Sequence, residues 1–166
     1  MRICGIDPGL NTSGYAVLDA DGPAVTVCDA GICRTQSQAD LGQRLIQIEA
    51  DFSSVFEQWR PTAVAVEQLY AHYKHPRTAV LMGHARGVML VTAGRFGAEV
   101  RSYGATQVKR FLTGNGRAGK RQVQRAIMAA LGLPKLPEPA DVADALAIAL
   151  AAAYDLGRRP CAERPV

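Results

Sequence analysis

The chain has 166 residues, 48% of them apolar, with no biased or repetitive tract, which fits one globular domain with a real core and excludes a disordered or fibrous protein. Asp7 and Pro8 break the N-terminal apolar run, so no secretion signal is expected, and the longest later run, Val142 to Tyr154, contains Asp144 and is too short to span a bilayer. A net charge of +4 hides a split: Gln68 to Pro137 carries twelve Lys and Arg against one acid, Glu99, a balance of +11, while the remainder carries −7; one face is suited to a polyanion.

In chain order, residues 2–7, 13–19 and 25–33 read as three strands, joined by turns at Pro8-Gly9-Leu10-Asn11 and Asp21-Gly22-Pro23. Loops this short make antiparallel hairpins. A helix is expected over 38–59, where Leu41, Leu45, Ile48, Phe52, Val55 or Phe56, and Trp59 recur by threes and fours until Pro61 stops it. A strand over 63–67 leads into a loop rich in Tyr, His and Lys, then a helix from about Pro76 to Phe96. Ala98 to Ser102 forms the fifth strand, helices follow near 105–112 and 120–131, and a last helix runs from Pro139 to Leu156. This order predicts an α/β fold, a mixed sheet with three antiparallel and two parallel strands, helices on both faces and right-handed crossovers. One domain is expected over 1–158, with 159–166, rich in Arg and Pro, as a flexible tail. The four cysteines, Cys4, Cys28, Cys33 and Cys161, lack a C-x-x-C spacing and are expected as reduced thiols in a cytoplasmic protein.

Four carboxylates carry most of the chemical information. Asp7 closes the apolar run Arg2-Ile3-Cys4-Gly5-Ile6, and Glu67 closes Ala63-Val64-Ala65-Val66. Asp141 and Asp144 lie three apart on the last helix, on a face continued by Ile148 and Ala151 or Ala152, so both extend the buried stripe. Acids at the N-terminus of a helix suit its dipole, which accounts for Glu138 and Asp141 but poorly for Asp144. Strands also often end in polar residues, so none of the four is decisive alone. Brought together they would repel one another unless hard divalent cations with oxygen ligands filled the space between them. The product would be a metal-dependent phosphodiester-cleaving site. In the turn after Asp7, the amides and hydroxyls of Asn11-Thr12-Ser13 could meet a phosphate.

The basic half supplies a matching surface. Gly114-Asn-Gly-Arg-Ala-Gly119-Lys120 resembles a phosphate-binding P-loop, but Arg121 stands where a Ser or Thr would hold Mg²⁺ and a helix precedes it where a strand is needed. A Gly-rich loop gripping a nucleic-acid backbone through Arg117, Lys120, Arg121 and Arg125 fits better. Tyr70, Tyr73 and Lys74, with Arg77 just beyond, mix aromatic faces and cations three residues past Glu67, which suits stacking on unpaired bases. His72 and His75 have little claim as metal ligands in so basic a loop. Gly83 and Gly87, one turn apart on a helix, allow either close internal packing or a symmetric helix–helix contact between two copies.

With these residues placed, the chain resembles the RuvC family of Holliday junction resolvases, within the RNase H-like nuclease superfamily. The likeness rests on Gly5-Ile6-Asp7-Pro8-Gly9, Val66-Glu67-Gln68, Gly83-His84-Ala85-Arg86-Gly87, Gln107-Val108-Lys109 and Asp141-Val-Ala-Asp144-Ala-Leu-Ala-Ile, in order over nearly the whole length. The resemblance implies an RNase H-like fold and an endonuclease that resolves four-way junction DNA by paired symmetric nicks. It implies two Mg²⁺ per active site, with Mn²⁺ a possible substitute, held by Asp7, Glu67, Asp141 and Asp144; ions in such sites sit roughly 3.5–4 Å apart. It also implies DNA contacts from Lys109 and Lys120, a stacking aromatic at Tyr70, a homodimer meeting through the helix of Gly83 and Gly87, and the RuvA-RuvB branch-migration complex as partner. The loop Ala71 to Arg77 departs from the family pattern, which leaves Tyr70 and Tyr73 both open as the stacking residue. Two other classes share part of the pattern. An actin-like phosphotransferase has the same Asp-x-Gly opening but needs a second copy of the domain, and a non-catalytic DNA-binding module has no use for four gathered acids.

Overall fold

The computed structural model describes residues 1–69 and 76–157. Five strands form one mixed sheet in the order β3-β2-β1-β4-β5. β1 (Arg2–Asp7), β2 (Thr12–Asp21) and β3 (Ala24–Arg34) make the antiparallel meander. β4 (Ala63–Glu67) and β5 (Glu99–Tyr103) add to it in parallel, β4 against β1 and β5 against β4. Asp7 therefore ends the middle strand of the sheet.

The helices are α1 (Leu41–Trp59), α2 (Pro76–Arg95), α3 (Ala105–Thr113), α4 (Lys120–Leu131) and α5 (Ala140–Gly157). Helix α1 starts at Leu41, the first residue of its apolar spacing and three residues later than the expected 38, because Asp40 caps it: its Oδ1 accepts from the Gln43 amide at 3.0 Å. β2 and β3 run longer than expected, meeting in a tight turn whose Gly22 takes φ 56°, a left-handed conformation favouring glycine.

Helices cover both faces of the sheet, giving two cores. On one face α5 and parts of α3 and α4 pack on Ile3, Ala16, Leu18, Ala63 and Ala65. On the other, α1 and α2 bring Ile48, Phe52, Phe56, Ala85 and Met89 against Cys4, Ile6, Val17, Val64 and Val66. The alternation is strict along β1 and β4, as a period of two demands. It decides where the terminal acids point.

Cys4, Cys28 and Cys33 are free thiols. Among the described residues no helix is long and apolar enough to cross a membrane.

Candidate active site

Asp7 follows Ile3 and Gly5 on the α5 side of β1, and Glu67 follows Ala63 and Ala65 on the α5 side of β4. The two strands are parallel neighbours with Ile6 opposite Val66, so both carboxylates leave the sheet side by side at the same edge and on the same face. Helix α5 then delivers the other pair from above.

That delivery depends on two glycines. A Cβ at Gly5 would lie 2.4 Å from the Ala145 carbonyl oxygen and 2.7 Å from the Ala149 Cβ. One at Gly14 would lie 2.0 Å from the carbonyl oxygen of Asp141. Helix and sheet therefore meet main chain to main chain, closer than any side chain would allow. Gly14 is the register partner of Asp7, so the contact that seats Asp141 is the one beside the Asp7 carboxylate.

Asp7, Glu67 and Asp144 line one cleft of about 310 Å³ together with Lys109, Lys120, Val108, Val123 and Ile148. Burial, then the charges of Glu67, Asp144 and Asp141, push the Asp7 carboxyl up to about 7. Glu67 is raised by burial and by Asp144. Asp144 is raised by burial and by Asp141, while Lys120 pulls the other way. Asp141 does not line the cleft; it acts on Asp7 and Asp144 from the first turn of α5.

Two expectations need correction. Asp144 points along the stripe of Ile148 but lies at the solvent edge of the cleft, so the residue is exposed while the cleft walls still partly shield its carboxyl. The turn after Asp7 does not offer the Ser13 hydroxyl to a phosphate. That hydroxyl is buried, donating to the Gly9 carbonyl at 2.6 Å and accepting from the Gly9 amide at 3.2 Å, which holds the turn shut.

The donor set suits hard cations held partly by other ligands. Among the described residues no three His, Cys, Asp or Glu side chains are arranged to hold a metal ion by themselves. Mg²⁺-type sites do not need such a cage, since one or two carboxylates per ion suffice when water and substrate phosphates complete the shell. Three acids on one open cleft, their protons held up by burial and then by neighbouring charge, meet that requirement.

Among the basic residues, Lys109 and Lys120 line the cleft, and Arg77, Arg117 and Arg121 are exposed. The Gly-rich segment links α3 to α4: Gly114 ends one in a left-handed turn (φ 74°) and Gly119 caps the other, as the rejection of a P-loop anticipated. Gly83 and Gly87 are exposed, and a Cβ at either would meet no described atom within 4 Å, so packing within the chain does not need them. Tyr70, Tyr73 and Lys74 lie outside the described residues.

Residues 3–152 match the family model described as crossover junction endodeoxyribonuclease RuvC. The chain belongs to the RuvC family. A crossover junction endodeoxyribonuclease RuvC from Rhodopirellula baltica is 49% identical over 152 residues, covering 92% of this chain and 85% of its own length. The Gloeobacter violaceus RuvC is 44% identical, covering 90% and 86%. The solved RuvC of Thermus thermophilus superposes with a TM-score of 0.88 at 36% identity over 94% of this chain and 95% of that one. The same protein in complex with Holliday junction substrate superposes at 0.89 and 35% over 95% of each. The yeast mitochondrial Holliday junction resolvase Ydc2, 14% identical with a TM-score of 0.65, shares the fold. Membership makes the chain a metal-dependent endodeoxyribonuclease of crossover junctions.

Sequence reasoning named Asp7, Glu67 and Asp144, which line the cleft, and Asp141, which does not, but missed what seats them. A glycine inside a strand is itself a signal of close approach, and Gly5 and Gly14 carried it. Arg44 left no such trace. Its Nε donates to Thr35 Oγ1 at 2.9 Å, and its Nη2 donates to the Leu10 carbonyl at 3.1 Å and to Asn11 Oδ1, fixing the turn that follows Asp7.

Proposed function

We propose that this chain resolves four-way DNA junctions by paired, symmetric nicks in homologous recombination and repair, using two Mg²⁺ ions, with Mn²⁺ able to substitute. The observation that carries the reading is the cleft in which Asp7, Glu67 and Asp144 face Lys109 and Lys120. Anionic residues able to share cations sit beside cationic residues able to hold a phosphate backbone.

When bound, the ions supply an activated water for in-line attack and neutralise charge on the leaving 3′ oxygen. Asp7, at the end of the central strand, and Glu67, Asp141 and Asp144 would be their protein ligands. Lys109 and Lys120 would hold phosphate oxygens at the mouth of the cleft, leaving the scissile bond over the acids. No side chain need act as nucleophile. The products would carry 5′-phosphate and 3′-hydroxyl ends.

Arg117 and Arg121 would extend the backbone grip, and Tyr70 or Tyr73, with Lys74 and Arg77, would meet the unpaired bases at the junction centre. Two symmetric cuts need two sites facing opposite strands, which a homodimer through the exposed Gly83–Gly87 face of α2 would provide. RuvA-RuvB would present the junction, in the cytoplasm. Residues 1–158 would act as one nuclease domain.

A synthetic four-way junction, end-labelled in turn on each strand and incubated with and without Mg²⁺, tests the reading. Mg²⁺-dependent nicks placed symmetrically in two opposed strands are expected. Random nicking of plain duplex, or junction binding without cleavage, would refute it.

A further inference from the structure

We propose that Arg86 is a positioning residue for the active site, holding the end of β4 so that Glu67 presents its carboxylate at the right depth; this rests on the reading of Glu67 as a metal ligand. Arg86 lies on α2, across the sheet from α5. Its Nε donates to the main-chain carbonyl of Glu67 at 3.0 Å, and its Nη2 donates to Ser102 Oγ at 2.6 Å. One planar fork thus ties the last residue of β4 to β5, where Ser102 is the register partner of Val66.

The side of approach fits this role. Val64 and Val66 face α2, whereas Glu67 points the other way, so Arg86 reaches the backbone of Glu67 while the carboxylate stays free on the far side. Its contact is with the peptide group and leaves both carboxylate oxygens for a cation. The next residue continues the clamp: the Gln68 amide donates to the Tyr103 carbonyl at 2.9 Å. Beyond it the chain leaves the sheet, so Arg86 holds the carbonyl of the last residue of β4. Partners that orient a metal ligand commonly change metal affinity by about 10–100-fold when removed. A lysine could reach one of the two acceptors but lacks the rigid fork that spans both.

The test is Mn²⁺ binding by calorimetry on full-length Arg86→Gln, Arg86→Lys and Glu67→Gln, beside melting temperature and junction affinity in EDTA. Arg86→Gln is expected to weaken Mn²⁺ binding about tenfold or more, with junction affinity within about twofold of wild type. Arg86→Lys should recover only part of the loss, and it decides the matter if the Gln variant does not fold. Unchanged Mn²⁺ affinity in either folded Arg86 variant, full recovery by lysine, or a loss matched by junction affinity and melting temperature alike would overturn the proposal. If Glu67→Gln weakens Mn²⁺ and the Arg86 variants do not, only the positioning role fails. If Glu67→Gln leaves Mn²⁺ affinity intact, the ligand reading itself fails and this inference goes with it.

Discussion

The two faces of the sheet are built differently. Helix α5 buries twelve residues, most of them alanine, and rests on strand glycines with backbone against backbone. Helix α1 stands off on the large side chains of Ile48, Phe52 and Phe56, with Met89 of α2 beside them. Phe52 and Phe56 meet edge-on at 6.1 Å, and Phe56 meets Phe96 at 5.7 Å. A contact between backbones has no rotamer to adjust, so it fixes a distance; a contact between side chains can repack. The acids that must share a cleft sit on the face with the fixed distance, and the compliant face only supports it.

The largest effect should come from the acids on the fixed face. Asp7→Asn is expected to cut junction cleavage by about 10³-fold or more, the equivalent of several kcal/mol of lost charge stabilisation, with junction binding in EDTA within about twofold of wild type. In the same variant without metal, melting at pH 8 should occur at a higher temperature, because one repelling charge is gone. Equal loss of binding and cutting in a gel assay would remove Asp7 from the ligand set.

Gly14→Ala should follow. Its methyl would collide with the Asp141 carbonyl, and backbone cannot yield as a flexible side chain can. A cost of about 1–3 kcal/mol in denaturant unfolding is expected from the overpacking. Cleavage below the melting temperature should fall about 100-fold, as a shift of about 1 Å in a reacting geometry can cause. Stability lost with cleavage preserved would mean that α5 need not sit so close.

The pH dependence sharpens the same contrast. Asp7 has an ordinary value of 3.8 and is pushed to about 7 in the fold, so between these pH values the native state keeps a proton that the unfolded state has released. Stability must then fall as pH rises through that window. Glu67, Asp144 and Asp51 are raised and act in the same sense. Asp19, lowered by its hydrogen bonds with Arg2, contributes below its ordinary 3.8 and does not offset them. In the metal-free protein, melting temperature should drop from about pH 4 to pH 7, and saturating Mg²⁺ should flatten the profile. A metal-free profile that rises across the window would contradict the acid cluster.

The smallest effect on cleavage is expected from the compliant face. Phe56→Leu should cost about 1–3 kcal/mol in denaturant unfolding by removing buried ring contacts, yet change junction cleavage less than about twofold well below the melting temperature. A loss of cleavage as large as that of Gly14→Ala would erase the distinction between the faces.

What the chain declared in advance was whatever is local. Strand-ending acids, the period of α1 and the charge of residues 68–137 can be read from neighbours in sequence, and they led to Asp7, Glu67 and Lys120. Seating was not legible in the same way. Gly14 says that something comes close, but only the folded chain shows that the visitor is Asp141, 127 positions on. Asp144 could be assigned to the stripe of Ile148, but its exposure depends on α3 and α4 leaving the cleft open. Arg86 belongs to a motif that suggested helix packing, while its hydrogen bonds cross 19 residues to Glu67 and 16 to Ser102.

One experiment reaches the centre of this account: Mn²⁺ titrated into wild-type protein and into Asp7→Asn, Glu67→Gln, Asp141→Asn and Asp144→Asn, each followed by electron paramagnetic resonance. If the acids serve one site, all four substitutions weaken Mn²⁺ binding, Asp7→Asn most. If two or more of the variants bind Mn²⁺ as tightly as wild type, the carboxylates do not form a common metal-holding cleft.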